Sequence, residues 1–353
     1  MEEDPGMAKA IFFRGLGEPL AVEDMSQLAA GDGHVVMRVE ACGVCGSDLH
    51  ATQEGVFLQE PGTVLGHEFA GEVIASDDPG VPVGLRATAV PVNACETCRD
   101  MGHGSCRNGL GILCPENRIT GLDKSVPGAY AQQVRVGAEQ VVPLPESVSY
   151  EEGALVEPLA VGLHAVDRAD IPLGGRVLVI GAGPIGLAVT SFARLRGAGS
   201  VVVSEYAAAR RDVARDFGAS HVIDPGETDD IGAAFAEVAG GPPDVIFECV
   251  GVPGLIQQAI DLSRPRGTIV LVGVCMKPDE IVPIAATLKE LRLQFVLGYL
   301  DEDFGRVLDM MGQGLIDAKA MITDHTDLSG LPEAFEALRK PDSQIKLMIR
   351  PNG

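Results

Sequence analysis

The sequence predicts an α/β protein with two domains, one rich in β-structure and the other built on a doubly wound parallel sheet. Its 353 residues are enough for about two domains, each with a buried core. Between residues 7 and 150, short strand-like segments are separated by Gly and Pro turns, which is typical of an irregular β-rich domain. From residue 177 to 297, apolar runs alternate with amphipathic stretches, which is typical of a parallel sheet covered by helices.

The composition argues against several classes of partner. A formal charge of −23 disfavours nucleic acid and anionic lipid, because both would be repelled. Although 46% of the residues are hydrophobic, no apolar run approaches the ~20 residues of a membrane span, and the acidic start lacks the basic region of a signal peptide. We therefore expect a cytoplasmic protein that binds neither nucleic acid nor membrane, with its 8 cysteines used for metal binding or catalysis.

Strands of the first domain alternate with short polar segments that contain residues of catalytic or metal-binding type. The predicted strands cover residues 7–14, 35–39, 69–74, 129–136 and 140–143. Cys45, Ser47 and His50 follow the second of these strands, and His67 and Glu68 precede the third. The residue types and their placement make this the candidate reactive part of the domain.

Cys45 and His67 have the chemistry of zinc ligands, and a catalytic zinc takes three protein ligands and leaves one position open. The candidate third ligand is Glu157, a carboxylate in an otherwise apolar segment where an unpaired charge would be costly. Each residue has a structural alternative: a small core cysteine, a hydrogen-bonded core histidine and an acid at a helix N-terminus.

A second metal site is predicted from Cys95, Cys98, Cys106 and Cys114. These four cysteines lie within twenty residues and open with a Cys-x-x-Cys pair, which is typical of a structural zinc bound by four thiolates. His103 lies between them and is the alternative fourth ligand, although an exposed loop histidine is the simpler interpretation.

The second domain is organised around a glycine turn. An apolar run at residues 177–180 is followed by Gly181, Gly183 and Gly186, with Pro184 and Ile185 between the last two, and then by a predicted helix at 187–196. Gly181 permits the tight turn, Gly183 lets a pyrophosphate approach the backbone, and Gly186 lets helix and strand pack closely. This pattern predicts a dinucleotide site.

The acidic residue Glu205 favours NAD over NADP as the bound dinucleotide. Glu205 ends the next strand, nineteen residues beyond Gly186, where a carboxylate suits the ribose 2′-hydroxyl of NAD and repels the 2′-phosphate of NADP. Arg210 and Arg211 lie close enough in sequence to keep NADP as the alternative.

Further strands complete the predicted parallel sheet. They are expected at residues 200–204, 221–223, 244–247, 268–272 and 293–297, with helices at 162–168, 207–217 and 255–262. Cys249-Val-Gly251 and Val272-Gly-Val274 then fall at the carboxyl edge of the sheet, where open α/β sheets bind ligands.

The motifs resemble those of the zinc-dependent alcohol dehydrogenase family, the medium-chain dehydrogenases. The resemblance runs in order over nearly the whole chain and is carried by Glu40-Ala-Cys-Gly-Val-Cys-Gly-Ser-Asp48, Gly66-His-Glu-Phe-Ala-Gly71, Glu157-Pro-Leu-Ala-Val161 and Gly181-Ala-Gly-Pro-Ile-Gly186. It implies a GroES-like catalytic domain at 1–157, with a structural zinc lobe at 92–115, and a Rossmann NAD-binding domain at 158–297. It also implies a return to the first domain over 298–353, through segments 310–316 and 331–338 and a strand at 345–349.

The resemblance also assigns site residues. It implies one catalytic zinc held by Cys45, His67 and Glu157, with Glu68 as an alternate ligand or a supporting carboxylate, and one structural zinc. A glutamate at 157 makes the chain more similar to the polyol and threonine dehydrogenases. The spacing between Cys98 and Cys106 departs from the family's, with seven intervening residues in place of two, which predicts a lengthened loop inside the lobe.

The implied reaction interconverts an alcohol and a carbonyl compound, with hydride transfer to or from NAD. Ser47 and His50 would relay the proton, Asp48 would orient His67, and Val250, Gly251, Val272 and Val274 would flank the nicotinamide. Zinc would act as a Lewis acid on the substrate oxygen. Members of this family are commonly dimers or tetramers, so the resemblance implies a homodimer or homotetramer.

Two other functions are compatible with parts of the sequence. One is a zinc-free quinone or enoyl reductase that uses NADPH, and the other is a noncatalytic NAD-binding protein. The complete set of ligand-type residues argues against both alternatives.

Overall fold

The computed structural model describes residues 6–93, 95, 109–340 and 343–353. The chain forms two compact units: unit 1 comprises residues 1–157 and 300–353, and unit 2 comprises residues 158–299. None of the helices described is long and apolar enough to cross a membrane.

Unit 1 is built on a seven-stranded sheet with two small two-stranded sheets beside it. Before residue 150 its strands are β1 (Met7–Phe12), β2 (Ala21–Ser26), β3 (His34–Gly43), β4 (Glu68–Ser76), β5 (Arg86–Ala89), β6 (Val92–Asn93), β7 (Arg118–Ile119), β8 (Gln133–Gly137) and β9 (Val141–Pro143). The C-terminal segment adds β16 (Ile322–Thr326) and β17 (Lys346–Ile349). The helices of unit 1 are α1 (Gly46–Ala51), α2 (Tyr150–Ala154), α9 (Asp303–Gly312) and α10 (Leu331–Ala337).

The strand order of the large sheet is β16-β17-β3-β4-β5-β9, and β8 also pairs with β3. The long strand β3 is central because its apolar residues, Val35, Met37 and Val39 among them, are fully buried in the core of unit 1. Its C-terminal end pairs with the start of β4, where Gly43 lies opposite Glu68, and with β17, where Gly43 lies opposite Met348. Three segments distant in sequence therefore meet at this end of β3.

Unit 2 contains a six-stranded sheet in the order β12-β11-β10-β13-β14-β15, with every neighbouring pair parallel. Its strands are β10 (Arg176–Ile180), β11 (Ser200–Ser204), β12 (His221–Ile223), β13 (Val245–Glu248), β14 (Thr268–Leu271) and β15 (Arg292–Phe295). Its helices are α4 (Pro184–Leu195), α5 (Ala208–Asp216), α6 (Ile231–Ala239), α7 (Leu255–Leu262) and α8 (Pro283–Leu288); α3 (Val156–Asp167) begins at the end of unit 1. The order reverses between β10 and β13, which is the doubly wound arrangement predicted from the sequence.

Two of the sequence-based element predictions were wrong about where the element begins. The strand predicted at 129–136 begins only at Gln133, because Ala129 and Tyr130 hydrogen-bond to the loop at Leu65 and Gly66. The helix predicted at 162–168 begins at Val156, which places Glu157 in its first turn. The segment 310–316, predicted to belong to the first domain, lies in unit 1 and contains the end of α9, after which the chain turns at Gly314, whose φ is +70°.

Candidate functional site

Three side chains of zinc-ligand type cluster in unit 1. One ligand atom each from Cys45, His67 and Glu68 lies within 4.8 Å of the others. Cys45 is partly exposed, whereas His67 and Glu68 are 4% and 0% exposed. One sulfur, one imidazole nitrogen and one carboxylate at this spacing fit the donor set of a catalytic zinc site.

Local structure explains how the cluster forms. Cys45 directly precedes α1, two residues after the end of β3, and His67 directly precedes β4. Because Cys42 lies opposite Phe69 and Gly43 lies opposite Glu68, the antiparallel pairing of β3 with β4 brings the two ligand-bearing segments together.

The Asp48 carboxylate faces the Nδ1 side of the His67 ring. The carboxylate is 0% exposed, and its Oδ1 lies 3.3 Å from His67 Nδ1, which leaves Nε2 as the nitrogen for a metal. Burial alone would lower the pKa of His67, but the Asp48 carboxylate and the nearby Cys45 outweigh it and raise that pKa well above 6.5. The same histidine keeps the pKa of Asp48 below its ordinary value despite burial of the acid.

Ser47 and His50 both lie on α1. The hydroxyl Oγ of Ser47 lies 3.2 Å from His67 Nε2, so it is adjacent to the position a metal would take. Burial lowers the pKa of His50 below 6.5, so its imidazole is neutral at pH 7 and can accept a proton.

Glu68 has a partner that the sequence analysis missed. Lys346, the first residue of β17, donates from Nζ to Glu68 Oε2 at 2.6 Å, to Glu68 Oε1 at 2.8 Å and to the carbonyl oxygen of Val44 at 3.0 Å. Lys346 is only 2% exposed. A lysine inside the apolar run 345–349 was a signal for a buried partner, since an unpaired buried charge is costly.

Glu157 is not one of the three residues whose ligand atoms meet at the cluster. It lies in the first turn of α3 and is 9% exposed. Its charge raises the pKa of Lys346, as do those of Glu68 and Cys45, although burial acts in the opposite direction. The carboxylates of Glu68 and Glu157 thus both raise the pKa of Lys346.

Two of the four lobe cysteines are described, and they are adjacent. Cys114 Sγ lies 3.5 Å from Cys95 Sγ, and both side chains are buried. Two thiolates on one tetrahedral zinc lie about 3.8 Å apart, so the spacing suits a shared metal. Cys98, His103 and Cys106 lie outside the described residues.

The glycine turn of unit 2 has the predicted backbone features. Gly181 has a φ of +96°, which favours glycine, and its amide donates to the Ser204 carbonyl at 2.8 Å. A Cβ on Gly186 would lie 2.0 Å from the Gly181 carbonyl oxygen, whereas a Cβ on Gly183 would meet no atom within 4 Å. Helix α4 starts directly after Gly183 with Pro184 and Ile185, so its N-terminus faces the open space beside Gly183.

Glu205 lies against this turn. Its Oε2 accepts from the Ala182 amide at 2.9 Å, and its Oε1 accepts from the Ala207 amide at 2.9 Å. Arg211 pairs with Asp224 at 2.7 Å. The carboxylate therefore lies beside the open space of the turn, while Arg211 is engaged by another acid.

The loops after β13 and β14 approach each other at the carboxyl edge of the sheet. Gly251 has a φ of +76°, and a Cβ there would lie 2.6 Å from the Val274 amide nitrogen. Val250 and Val274 are 47% and 45% exposed, whereas Val272 is 8% exposed. Val250 and Val274 can therefore contact a ligand at this edge, and Val272 supports them from the core.

Known proteins resemble this chain over most of its length. The family profile described as "Alcohol dehydrogenase GroES-like domain" matches residues 31–146, and the profile described as "Zinc-binding dehydrogenase" matches residues 184–313. The (R,R)-butanediol dehydrogenase of Bacillus subtilis (strain 168) is 35% identical over 348 residues, covering 94% of this chain and 97% of that protein.

A sorbitol dehydrogenase of the same organism is 32% identical over 327 residues, covering 90% of each chain. The crystal structure of 2R,3R-butanediol dehydrogenase from Bacillus subtilis superposes with a TM-score of 0.87 at 34% identity, covering 98% of this chain and all of that one. The likeness spans both units of the chain.

Proposed function

The chain belongs to the zinc-dependent medium-chain alcohol dehydrogenases, in their polyol-type branch, and from this premise we propose that it oxidises a secondary alcohol or polyol to the ketone with NAD as hydride acceptor. The observation that carries the proposal is the cluster of Cys45, His67 and Glu68, with ligand atoms within 4.8 Å of one another. The similarity to a butanediol and a sorbitol dehydrogenase supports a diol or polyol substrate.

The donor set fits zinc. We propose that Cys45 and His67 hold the catalytic ion together with Glu157 or Glu68. When bound, zinc supplies Lewis-acid chemistry that makes the substrate hydroxyl more acidic and favours loss of hydride. Because Asp48 Oδ1 lies 3.3 Å from Nδ1 of His67, Nε2 is the nitrogen that would hold the ion.

The proton leaves through residues of α1. Ser47 carries a hydroxyl next to His67 Nε2 and can take the substrate proton, and His50, neutral at pH 7, can deliver it to solvent.

The cofactor turn supports NAD over NADP. The Glu205 carboxylate beside Ala182 suits a ribose 2′-hydroxyl and would repel a 2′-phosphate, and Arg211 is paired with Asp224. The contacts to the nicotinamide are assigned to Val250, Gly251 and Val274, with the pyrophosphate at Gly181, Gly183 and Gly186.

We also propose a structural zinc on Cys95, Cys98, Cys106 and Cys114, supported by the 3.5 Å approach of Cys95 and Cys114. Thiolate sites of this kind persist in a reducing compartment, which supports a cytoplasmic location.

The oligomer is proposed to form through the edge of the unit 2 sheet. The edge strand β15 is paired only with β14 among the described strands, and Phe295 and Leu297 at its end are 67% and 51% exposed. On the neighbouring helix α8, Ile284 and Leu288 are 58% and 78% exposed. An open strand edge with apolar neighbours suits pairing with a second copy of this chain.

The test combines metal analysis with an activity panel. We expect about two zinc atoms per chain by elemental mass spectrometry. We also expect NADH formation from vicinal diols or polyols, with a higher kcat/KM for NAD than for NADP. Cys45→Ser is expected to remove one zinc and the activity, whereas the matched variant Cys42→Ala, in the buried core beside it, keeps both. A zinc-loaded protein that oxidises no alcohol with either dinucleotide contradicts the proposal.

A further inference from the structure

One buried acid joins the two loops at the carboxyl edge of the unit 2 sheet. Glu248 is the last residue of β13, and it is 3% exposed. Its Oε1 accepts from the amide of Val250 at 2.7 Å and from the amide of Gly251 at 2.9 Å. Its backbone carbonyl accepts from the amides of Val272 and Gly273, both at 2.9 Å. Glu248 thus binds two amides from the loop after β13 and two from the loop after β14.

Glycines let the two loops pack against each other and against this carboxylate. A Cβ on Gly273 would lie 2.7 Å from Glu248 Oε2 and 2.2 Å from the Gly251 amide nitrogen. A Cβ on Gly251 would in turn lie 2.6 Å from the Val274 amide nitrogen. These distances are too short for a side chain, so the two loops and the carboxylate form one closely packed group.

This group lies beside the glycine turn. A Cβ on Gly181 would lie 2.6 Å from Val250 Cγ2, so the side chain of Val250 packs against the first glycine of the turn. The Cys249 amide donates to the Ile180 carbonyl at 3.0 Å, which fixes the start of the loop to the strand before the turn. In a dinucleotide, the nicotinamide ribose follows directly on the pyrophosphate. A pyrophosphate at the turn therefore places the nicotinamide close to Val250.

The two kinds of contact made by Glu248 respond differently to substitution. The backbone carbonyl contacts to the loop after β14 persist whatever side chain is present. The contacts to Val250 and Gly251 need an acceptor at the end of the side chain, and N–H bonds to a carboxylate are roughly twice as strong as bonds between neutral groups. Loss of the carboxylate therefore releases the loop after β13 and leaves the sheet pairing in place.

We propose that Glu248 is a positioning residue of the cofactor site, which holds the loop after β13 so that Val250 and Val274 contact the nicotinamide in the geometry needed for hydride transfer. The inference rests on the proposed function, in which NAD is the hydride acceptor and these loops flank its nicotinamide. Glu248 acts through the backbone of Val250 and Gly251 and not on the reacting atoms.

The test compares NADH with ADP-ribose, which contains the adenosine and pyrophosphate of the cofactor but no nicotinamide. Glu248→Met keeps a side chain of similar length and removes the acceptor. We expect this variant to bind NADH about 10-fold more weakly and to bind ADP-ribose as the wild type does. At saturating NAD, NADH formation from vicinal diols should slow about 10- to 100-fold, because a small displacement of a reacting group has an effect of this size. Titration calorimetry and steady-state kinetics provide the measurements.

Two control variants accompany Glu248→Met. Glu248→Gln keeps an oxygen acceptor at the same position and should recover most of the NADH affinity and of the rate. Glu237→Ala removes an exposed acid on α6, which contacts β12 at the opposite edge of the sheet, and it should change neither quantity.

Hydrogen exchange of the wild-type protein tests the same contacts if Glu248→Met fails to fold. The amides of Val250 and Gly251 should exchange slowly in the absence of cofactor, because both donate to the buried carboxylate. Rapid exchange of both amides would overturn the proposal.

The outcomes separate this inference from the proposed function. A wild-type protein that binds NADH and oxidises diols, with a Glu248→Met variant that behaves identically, overturns the role of Glu248 alone. Equal weakening of NADH and ADP-ribose binding also overturns it, because general damage to unit 2 affects both molecules. Failure of the wild-type protein to bind NADH overturns the proposed function together with this inference.

Discussion

At the scale of single residues, Tyr130 connects the buried acid Asp48 to the rest of the core. It is 0% exposed, and its hydroxyl donates to Asp48 Oδ2 at 2.7 Å, the same oxygen that accepts from the Cys45 amide at 2.9 Å. Burial and the Asp48 carboxylate raise the pKa of Tyr130 well above 10, so it remains a donor. Oδ1 of Asp48 is thereby left to face His67.

Replacing Tyr130 by Phe removes this donor and keeps the ring. We expect a loss of about 1–3 kcal/mol in the free energy of unfolding, because a buried carboxylate loses a hydrogen bond. We also expect zinc to be lost faster to a chelator, because His67 is less firmly oriented. Urea unfolding and chelator competition measure the two effects.

Tyr150→Phe is the matched control, since the ring of Tyr150 lies 4.8 Å from the Arg86 guanidinium and away from the cluster. Equal zinc release from the two variants would show that the Tyr130 hydroxyl has no influence on the metal site.

Asp244 joins two arginines at the amino end of the unit 2 sheet. Burial would raise its pKa, but hydrogen bonds from Arg176 and Arg264 outweigh burial and lower the pKa to about 2. Because the folded-state pKa lies below the unfolded value, the stabilisation is present above about pH 4 and is lost as the pH falls toward 2.

Asp244→Asn tests this dependence. At pH 7 we expect the free energy of unfolding of the variant to be about 1–2 kcal/mol lower than that of the wild type. We expect this difference to shrink as the pH falls below 4. Denaturant unfolding of both proteins at matched pH values measures it. A difference that stays constant down to pH 3 would refute the assignment.

At the scale of elements, the turn between β10 and α4 uses its glycines for two separate purposes. A Cβ at Gly186 would collide with the Gly181 carbonyl oxygen at 2.0 Å, so this glycine allows the helix to pack on the strand. Gly183 has no neighbour within 4 Å and a φ of −71°, which any residue can adopt, so its space is left for a ligand.

The two alanine variants should therefore differ. Gly186→Ala is expected to lower the free energy of unfolding by about 1–3 kcal/mol, because strand or helix must shift. Gly183→Ala should leave stability nearly unchanged and weaken NAD binding. Thermal unfolding measures the effect on stability, and titration calorimetry with NADH measures the effect on cofactor binding. Tight NADH binding by Gly183→Ala would contradict the assigned pyrophosphate position.

At the scale of the whole molecule, the exposed edge of unit 2 determines the expected assembly. Phe295→Lys places a charge on the edge strand β15, where Phe295 is 67% exposed, and should convert the oligomer to monomers. Val238→Lys is the matched control, because Val238 is 39% exposed on α6, which contacts β12 at the opposite edge of the same sheet. Sedimentation velocity measures both variants, and an unchanged oligomer in Phe295→Lys would exclude this edge as the interface.

Local patterns were sufficient for much of the fold. The alternation of strands and helices from β10 to β15 follows from apolar periodicity, and the glycine turn follows from steric needs that act within a few residues. The strand predicted at 129–136 was too long because Tyr130 takes its backbone partners from the loop at Leu65, which no local pattern reveals.

Residue type and short spacings were enough to predict metal-ligand, proton-relay and dinucleotide-binding residues from the sequence, because that chemistry depends on local patterns. The contacts that hold these residues became visible in the folded chain. Lys346 reaches Glu68 across 278 residues and Tyr130 reaches Asp48 across 82. A buried charge must find its partner wherever the folded chain brings one, so such pairs follow from strand pairing and burial, which the order of residues alone does not display.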